Sequence, residues 1–98
     1  MAAYLVGVIQ ITDFNDNVKK YAQQAAEWAA ENGGEYLVRG PAAKVGEGDL
    51  FAGKSVIVSK FPDMESLKAF YESDKYQKEI KPLRENSGIY DLAMFEGV

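Results

Sequence analysis

The order of apolar and polar positions along the chain predicts four strands and two helices. Runs rich in β-branched and aromatic residues, typical of strands, cover 3–12, 35–41, 54–61 and 89–96. Two other segments repeat their apolar residues at helical spacing. The first stripe consists of Val18, Tyr21, Ala22, Ala25, Trp28 and Ala29, and the second of Met64, Leu67, Phe70 and Tyr71. The predicted order of elements is therefore β-α-β-β-α-β.

Residues that start and stop helices flank both helical segments. The sequence Asn-Gly-Gly at 32–34 supplies the left-handed backbone that ends a helix, and Asp63 is suited to cap the next one. A further helical piece is expected to begin near Ser73 or Asp74. Because Pro82 lacks an amide hydrogen and crowds the preceding turn, this piece should kink or end there.

Two split βαβ units in this order predict a ferredoxin-like α+β fold, with a four-stranded antiparallel sheet and the helices on one face. The chain, residues 1–98, has no linker-like stretch and is expected to form a single domain. The longest connection joins the second and third strands at 41–53 and carries three glycines. Because hairpin connections are usually short, this loop is predicted to be either mobile or functional.

Parity along the strands sorts their residues into two faces, because consecutive strand side chains point to opposite sides. The face expected beneath the helices comprises Leu5, Gly7, Ile9, Ile11, Tyr36, Val38, Val56, Val58, Tyr90, Leu92 and Met94. The face opposite the helices is called the open face, and its predicted members are Tyr4, Val6, Val8, Gln10, Glu35, Leu37, Arg39, Ser55, Ile57, Ser59, Ile89, Asp91, Ala93 and Phe95. The apolar members would lie in water in a monomer. This predicts a homodimer in which two sheets pack face to face as a dimeric α/β barrel.

Arg39 falls on the open face by this count. It can pair with Glu35 on its own strand or with Asp91, within the subunit or across a two-fold axis, or it can bind an anionic ligand as a bidentate fork. We favour the ion pair, because interface ion pairs are commoner than anion sites and both carboxylates share the predicted face.

The composition argues against a membrane span and against nucleic acid as a partner. A hydrophobic fraction of 47% and a charged fraction of 27% are ordinary for a globular protein, and no apolar run is long enough for a membrane span. The first residues include an apolar run with no basic residue ahead of it, so we expect a strand rather than a signal peptide, and a cytoplasmic location.

A net charge of −4 without a basic stripe argues against nucleic acid as a partner. RNA-recognition domains share this element order but expose stacking aromatics in the third strand, where this chain has Val56, Ile57 and Val58.

The chain contains neither histidine nor cysteine. Imidazole is the commonest acid–base group near neutral pH and the commonest transition-metal ligand, and thiolates are the other common nucleophiles and soft ligands. No set of carboxylates has the spacing of metal ligands. We therefore predict no metal site and no cofactor.

Several segments together carry a resemblance to a known family. They are YLVRG after a double glycine, VGEG, the run FPDMESLKAFYESDKYQKEIKPLREN and the closing FEGV. These segments resemble the bacterial domain-of-unknown-function family thirteen-thirty, of the dimeric α/β-barrel superfamily. The matching positions are Arg39, Phe61, Pro62, Tyr71, Ser73, Tyr76 and Arg84. The resemblance implies two paired ferredoxin-like sheets and no established activity, and the chain departs from the family pattern at Pro41 and Pro82.

The candidate ligand-binding residues are Arg39, Phe51, Tyr71, Ser73, Tyr76 and Arg84. Two phenols and a hydroxyl surround the helix break, and either arginine could lower the pKa of a nearby phenol. A structural interpretation is favoured for this group: Ser73 as an N-cap, and Tyr71 and Tyr76 as packing residues. The aromatic residue in the glycine-rich loop, Phe51, is expected either to cover a cleft or to clamp a partner subunit.

These observations leave two functional hypotheses. The first is a small homodimer that binds an unidentified small molecule in a cleft or has a purely structural role. The alternative is a cofactor-free monooxygenase or isomerase that acts on a small aromatic or polyketide-like substrate, by analogy with relatives in the superfamily. Haem-degrading relatives bind iron through histidine, which this chain lacks.

Overall fold

The computed structural model describes residues 1–98 and has the element order that the sequence predicts. The elements are β1 (Ala3–Ile11), α1 (Asp16–Glu31), β2 (Glu35–Pro41), β3 (Ser55–Phe61), α2 (Met64–Tyr71) and β4 (Gly88–Glu96). A π-helical turn (Lys75–Ile80) and a 3₁₀ turn (Lys81–Arg84) connect α2 to β4. None of the helices combines the length and the apolar character that a membrane crossing requires.

The four strands form one sheet in the order β2-β3-β1-β4, and all neighbouring strands are antiparallel. The helices lie on one face of this sheet and leave the open face uncovered. The ferredoxin-like fold is therefore confirmed.

Local sequence explains where the helices begin and end. The Asn15 side chain accepts a hydrogen bond from the Val18 amide at 3.0 Å, and Asp63 accepts one from the Ser66 amide at 2.7 Å. The second bond confirms the predicted cap, and it holds the pKa of the Asp63 carboxyl below its usual value. Beyond the end of α1, the chain adopts a positive φ of 84° at Gly33, as the sequence predicts.

Pro82 changes the type of helix, in agreement with the sequence. The amide of Lys81 donates to the carbonyl of Tyr76, five residues earlier, so the turn before the proline is wider than an α-helix. Pro82 has no amide hydrogen to continue this pattern. The chain then narrows into the 3₁₀ turn that ends at Arg84.

The core lies between the sheet and the helices. Its buried apolar residues are Ala3, Leu5, Ala25, Ala29, Phe61, Leu67, Phe70, Tyr76 and Ile80. The Phe70 ring centroid lies 5.5 Å from that of Phe61 and 5.0 Å from that of Tyr76. The Trp28 indole nitrogen donates to the Phe70 carbonyl at 3.1 Å, which links α1 to α2. Since the Tyr76 side chain is only 1% exposed, the π-helical turn belongs to the core.

The register of β3 corrects the predicted faces of that strand. Ser59 pairs with Leu5 and Ile57 with Gly7, and directly opposed residues share a face. Ser55, Ile57 and Ser59 therefore lie under the helices. Val56 and Val58 pair with Val8 and Val6 and lie on the open face. The prediction for β3 was wrong. It assigned Val56 and Val58 to the core, whereas these valines lie on the open face and the two serines lie against the helices with Ile57.

A β-bulge in β2 corrects the predicted positions of Arg39 and Val38. Tyr36 pairs with Ser59 and Val38 with Val58, so Leu37 is an extra residue in β2. The bulge reverses parity beyond this point. Arg39, opposite Ile57, consequently shares the helix-covered face with Tyr36, and Val38 lies on the open face. The prediction that Arg39 lies on the open face is wrong.

After these corrections, the open face is more apolar than the sequence count suggested. Its apolar side chains are Tyr4, Val6, Val8, Val38, Val56, Val58, Ile89, Ala93 and Phe95. Ile89 and Phe95, on the edge strand β4, are 55% and 53% exposed in the single chain. Charged residues on this face, such as Glu35, Lys60 and Asp91, are few.

Candidate functional site

A cavity of about 410 Å³ lies between α1 and the helix-covered face of the sheet. Most of its lining is apolar. Its lining includes Val18, Tyr21, Ala22, Ala25, Ala29, Tyr36, Arg39, Ser59, Tyr76 and Tyr90. Its size lies within the range of small-molecule sites, roughly 300–1,000 Å³.

The cavity exists because short side chains face each other across the gap between α1 and the sheet. The helix contributes Ala22, Ala25 and Ala29 to the lining, and β3 contributes Ser55 and Ser59. Native interiors are normally filled to the density of an organic crystal. Because the side chains of both α1 and β3 are short here, the space that larger residues would occupy stays unfilled.

The mouth of the cavity is marked by lining residues that are solvent-exposed: Ile11, Phe14, Tyr36 and Arg39. The Arg39 guanidinium carbon lies 4.9 Å from the centroid of the Tyr36 ring, within the range of a cation–π contact. Partial burial of Tyr36 raises the pKa of its phenol, although the charge of Arg39 acts in the opposite direction.

Arg39 does not form the ion pair predicted from the sequence. The two ion pairs of the chain join Lys75 to Glu31 and Lys78 to Asp74. The predicted partners of Arg39, Glu35 and Asp91, lie on the open face. The charge of Arg39 therefore has no carboxylate partner within the subunit.

The inner end of the cavity is formed by a group of tyrosines around Tyr76. The hydroxyl oxygens of Tyr21 and Tyr76 lie 2.7 Å apart and share a hydrogen bond. The Tyr21 ring centroid is 6.2 Å from that of Tyr90, and the Tyr71 centroid is 5.0 Å from that of Tyr76. These four tyrosines and Arg84 are called the tyrosine cluster.

Arg84 packs against two aromatic rings of this cluster. Its guanidinium carbon lies 4.2 Å from the centroid of the Tyr90 ring and 5.4 Å from that of Tyr21. Its Nε is buried and makes no hydrogen bond. Burial opposes the charge, but the phenols of Tyr21, Tyr76 and Tyr71 act in the other direction and raise the pKa of Arg84. The group therefore stays cationic.

Burial raises the pKa of the Tyr21 phenol far above its ordinary value, and the nearby Tyr76 hydroxyl raises it further. Arg84 acts in the opposite direction and does not overcome these effects. Arg84 therefore acts on Tyr21 in the direction expected of an arginine beside a phenol, but burial and Tyr76 outweigh it and the net pKa is raised. At neutral pH this phenol is protonated and can donate a hydrogen bond.

The structure brings four of the six candidate residues to the cavity or its surroundings. Arg39 and Tyr76 line the cavity. Tyr71 and Arg84 lie behind the lining, where they contact Tyr76 and Tyr21 respectively.

The other two candidates, Ser73 and Phe51, do not line the cavity. The Ser73 hydroxyl accepts hydrogen bonds from the Tyr76 amide and the Trp28 indole, each at 3.0 Å, and donates to the Phe70 carbonyl at 2.8 Å. This is the capping role that we favoured from the sequence. Phe51 lies in the exposed segment between β2 and β3.

Sequence reasoning missed Tyr21, Tyr36, Tyr90 and Ser59 as parts of a site. Three of these residues were assigned to apolar stripes or strand faces as ordinary core residues, and Ser59 was assigned to the open face. The signal that could have revealed them is the row of alanines on the buried side of α1. A stripe of alanines beside a large phenol leaves space that a core of larger residues would fill.

Comparison with known proteins gives a family and a fold. The sequence matches the family described as "Domain of unknown function (DUF1330)" over residues 2–98. A comparison with curated proteins finds no match.

Among solved structures, a protein of unknown function from Rhodopseudomonas palustris has a TM-score of 0.72 and 9% sequence identity, with 99% of this chain and 82% of that chain covered. SnoaB, a cofactor-independent oxygenase from Streptomyces nogalater, has a TM-score of 0.65 and 9% identity, with 99% and 93% covered. A variant of SnoaB gives a TM-score of 0.66 and 8% identity, with 98% and 92% covered. Identities this low show a shared fold alone.

Proposed function

This chain belongs to the DUF1330 family of domains of unknown function, and we propose that it is a single-domain homodimer that binds a small, mainly apolar molecule between α1 and the sheet. The observation that carries this proposal is the cavity. A cytoplasmic location is part of the proposal and rests on the sequence argument alone.

The lining of the cavity suits a small organic ligand. Apolar walls supply affinity through the burial of apolar surface, at roughly 25 cal/mol per Å². A few polar groups fix the orientation of a ligand in such sites. Here those groups are Arg39 at the mouth, Ser59 in the floor and the phenols at the inner end.

The phenol pair offers one hydrogen-bond donor to a ligand. The two hydroxyls of Tyr21 and Tyr76 carry two protons, and only one proton is used in the bond between them. Because both residues line the cavity, we expect the second proton to be available to an oxygen atom of a ligand. We expect that oxygen to be a carbonyl or a hydroxyl.

The open face supports the homodimer. Its side chains form a contiguous apolar surface across all four strands, and monomeric proteins rarely expose such a surface. A second copy related by a two-fold axis would bury the same patch on both subunits. The cavity lies on the other side of the sheet, so dimerisation leaves the proposed binding site unobstructed.

Enzymatic activity is the weaker alternative. SnoaB shares the fold, which keeps a cofactor-free oxygenase or isomerase among the hypotheses. Proton abstraction in such chemistry requires a base whose pKa lies near the working pH. The phenol of Tyr21 has a raised pKa and no histidine is present, so the cavity is better suited to binding than to proton removal.

A ligand screen with a blocked cavity tests the proposal. Thermal shifts are measured against small aromatic and aliphatic metabolites for the wild type and for Ala22→Phe, which fills the cavity. Gln24→Phe, at an exposed position of the same helix, is the control. Ligands that stabilise the wild type and Gln24→Phe, but not Ala22→Phe, support the proposal. Stabilisation of all three proteins by the same ligands would contradict it.

A further inference from the structure

We propose that the ligand is a monoanionic organic acid, with its apolar body in the cavity and its acidic group bound by Arg39. This inference rests on the proposed function and adds the chemical class of the ligand. It follows from the position and the surroundings of a single side chain.

Arg39 is the only charged residue among those that line the cavity. The lining contains no aspartate, glutamate or lysine, and neither ion pair of the subunit involves Arg39. Arg39 is solvent-exposed at the mouth, so water can solvate its charge when no ligand is bound. Because no carboxylate of the subunit pairs with it, its guanidinium is free to bind an acidic group of a ligand that enters the cavity.

The bulge in β2 creates this arrangement. With regular alternation, Arg39 would face away from the cavity, on the same side as Glu35. The extra residue Leu37 turns it to the helix-covered face and leaves Glu35 on the open face. The guanidinium carbon of Arg39 then lies 4.9 Å from the centroid of the Tyr36 ring, which also lines the cavity.

The number of cations restricts the charge of the ligand. A planar guanidinium binds a carboxylate, a sulfonate or a similar acid through two parallel hydrogen bonds. Nucleotides and other polyphosphates need several cations or the amino end of a helix. The second arginine, Arg84, does not line the cavity and packs against tyrosine rings instead. One acidic group with a single charge is therefore the best match.

Two fluorescent probes with the same aromatic skeleton test the inference. Anilinonaphthalene sulfonate carries an acidic group, and N-phenylnaphthylamine lacks it. Dissociation constants for both probes are measured by fluorescence titration with the wild type, Arg39→Gln, Arg39→Lys and Lys20→Gln. The last variant removes one positive charge from the exposed surface of α1 and is the control for net charge.

The inference predicts a selective loss. Arg39→Gln weakens binding of the sulfonate by about tenfold or more and changes binding of the neutral probe by less than about twofold. Arg39→Lys restores part of the affinity because it keeps the charge and loses the fork. Lys20→Gln leaves the dissociation constants of both probes unchanged. Equal effects of Arg39→Gln on both probes, or no effect on either, would overturn the inference.

The cavity variant separates this result from a failure of the proposed function. Ala22→Phe is expected to abolish binding of both probes. If it leaves both affinities unchanged, the probes do not occupy the cavity, and the proposed function is contradicted together with the inference. If Ala22→Phe abolishes binding of both probes while Arg39→Gln has no effect, the proposed binding site is supported and only the anionic class of ligand is excluded.

Discussion

The hydroxyl oxygens of Tyr21 and Tyr76 lie 2.7 Å apart and join the middle of α1 to the π-helical turn. Tyr76 is buried in the core, and both phenols reach the inner end of the cavity. The same pair therefore contributes to the stability of the fold and to the polarity of the proposed site.

This pair should show strong energetic coupling. Tyr21→Phe leaves the hydroxyl of Tyr76 buried without its partner, at a cost of about 1–3 kcal/mol in the free energy of unfolding. Tyr76→Phe is expected to cost a similar amount. The double variant should lose clearly less than the sum of the two, because no unpaired hydroxyl remains. Urea unfolding at a fixed protein concentration measures all three, and additive losses would show that the two hydroxyls do not interact.

The raised pKa of Tyr21 predicts a loss of stability in alkali. A tyrosine in the unfolded chain ionises near pH 10, at about its ordinary pKa. In the folded protein the Tyr21 phenol holds its proton to higher pH. The contribution of the Tyr21 phenol to the free energy of unfolding is therefore complete below about pH 10. It is lost as the pH rises further, by up to about 1.4 kcal/mol per pH unit.

Urea unfolding between pH 9 and pH 11 measures this loss of stability. Tyr21→Phe should remove part of the decline above about pH 10, because phenylalanine has no proton to lose. A decline of equal slope in the wild type and in Tyr21→Phe would contradict the raised pKa.

The open face should hold the dimer together. Val58→Asp places a carboxylate at the centre of this face in both subunits, and an unpaired buried charge costs about 3–5 kcal/mol. We expect the dimer to weaken by more than about 100-fold, as measured by light scattering across a dilution series. Val45→Asp, in the exposed segment between β2 and β3, should leave the dimer unchanged. A wild type that is monomeric at high concentration would exclude the proposed interface.

Deletion of Leu37 should be tolerated. Without this residue, Tyr36, Val38 and Arg39 would still oppose Ser59, Val58 and Ile57, and no side chain would change face. We expect a loss of no more than about 1 kcal/mol in unfolding free energy and unchanged affinity for the sulfonate probe. Deletion of Val56 in the regular part of β3 should instead prevent folding, because a one-residue slip reverses both faces. Equal damage from the two deletions would contradict the assigned register.

Ser73 should matter for stability and not for ligand binding. Ser73→Ala removes the acceptor of the Tyr76 amide and one acceptor of the Trp28 indole, at a cost of about 1–2 kcal/mol. Chemical denaturation measures the cost. Affinity for both fluorescent probes should be unchanged. A selective loss of probe binding would assign Ser73 to the site.

The elements that sequence reasoning located correctly are those with a strong local cause. The apolar stripe of α1, the cap at Asp63 and the change of helix at Pro82 each depend on residues within one or two turns. The element order then allowed few topologies other than the ferredoxin-like fold.

The errors concern the faces of β2 and β3, where the cause is not local. In β3, Ser55, Ile57 and Ser59 alternate with Val56 and Val58, so both faces carry apolar residues and either could have been assigned to the core. In β2, a single extra residue reverses the parity of all that follow, and its presence depends on pairing with β3. The position of Arg39, and with it the candidate site, could not be obtained from spacing within one strand.

The segment between β2 and β3 has a practical consequence for work on this protein. Every residue from Ala42 to Gly53 is exposed, and the positions of Gly46, Gly48 and Gly53 have open space around them. Exposed loop tips of this kind tolerate added length, because no buried backbone depends on them. A reporter peptide or a labelled residue inserted here would lie at the end of the long hairpin between β2 and β3.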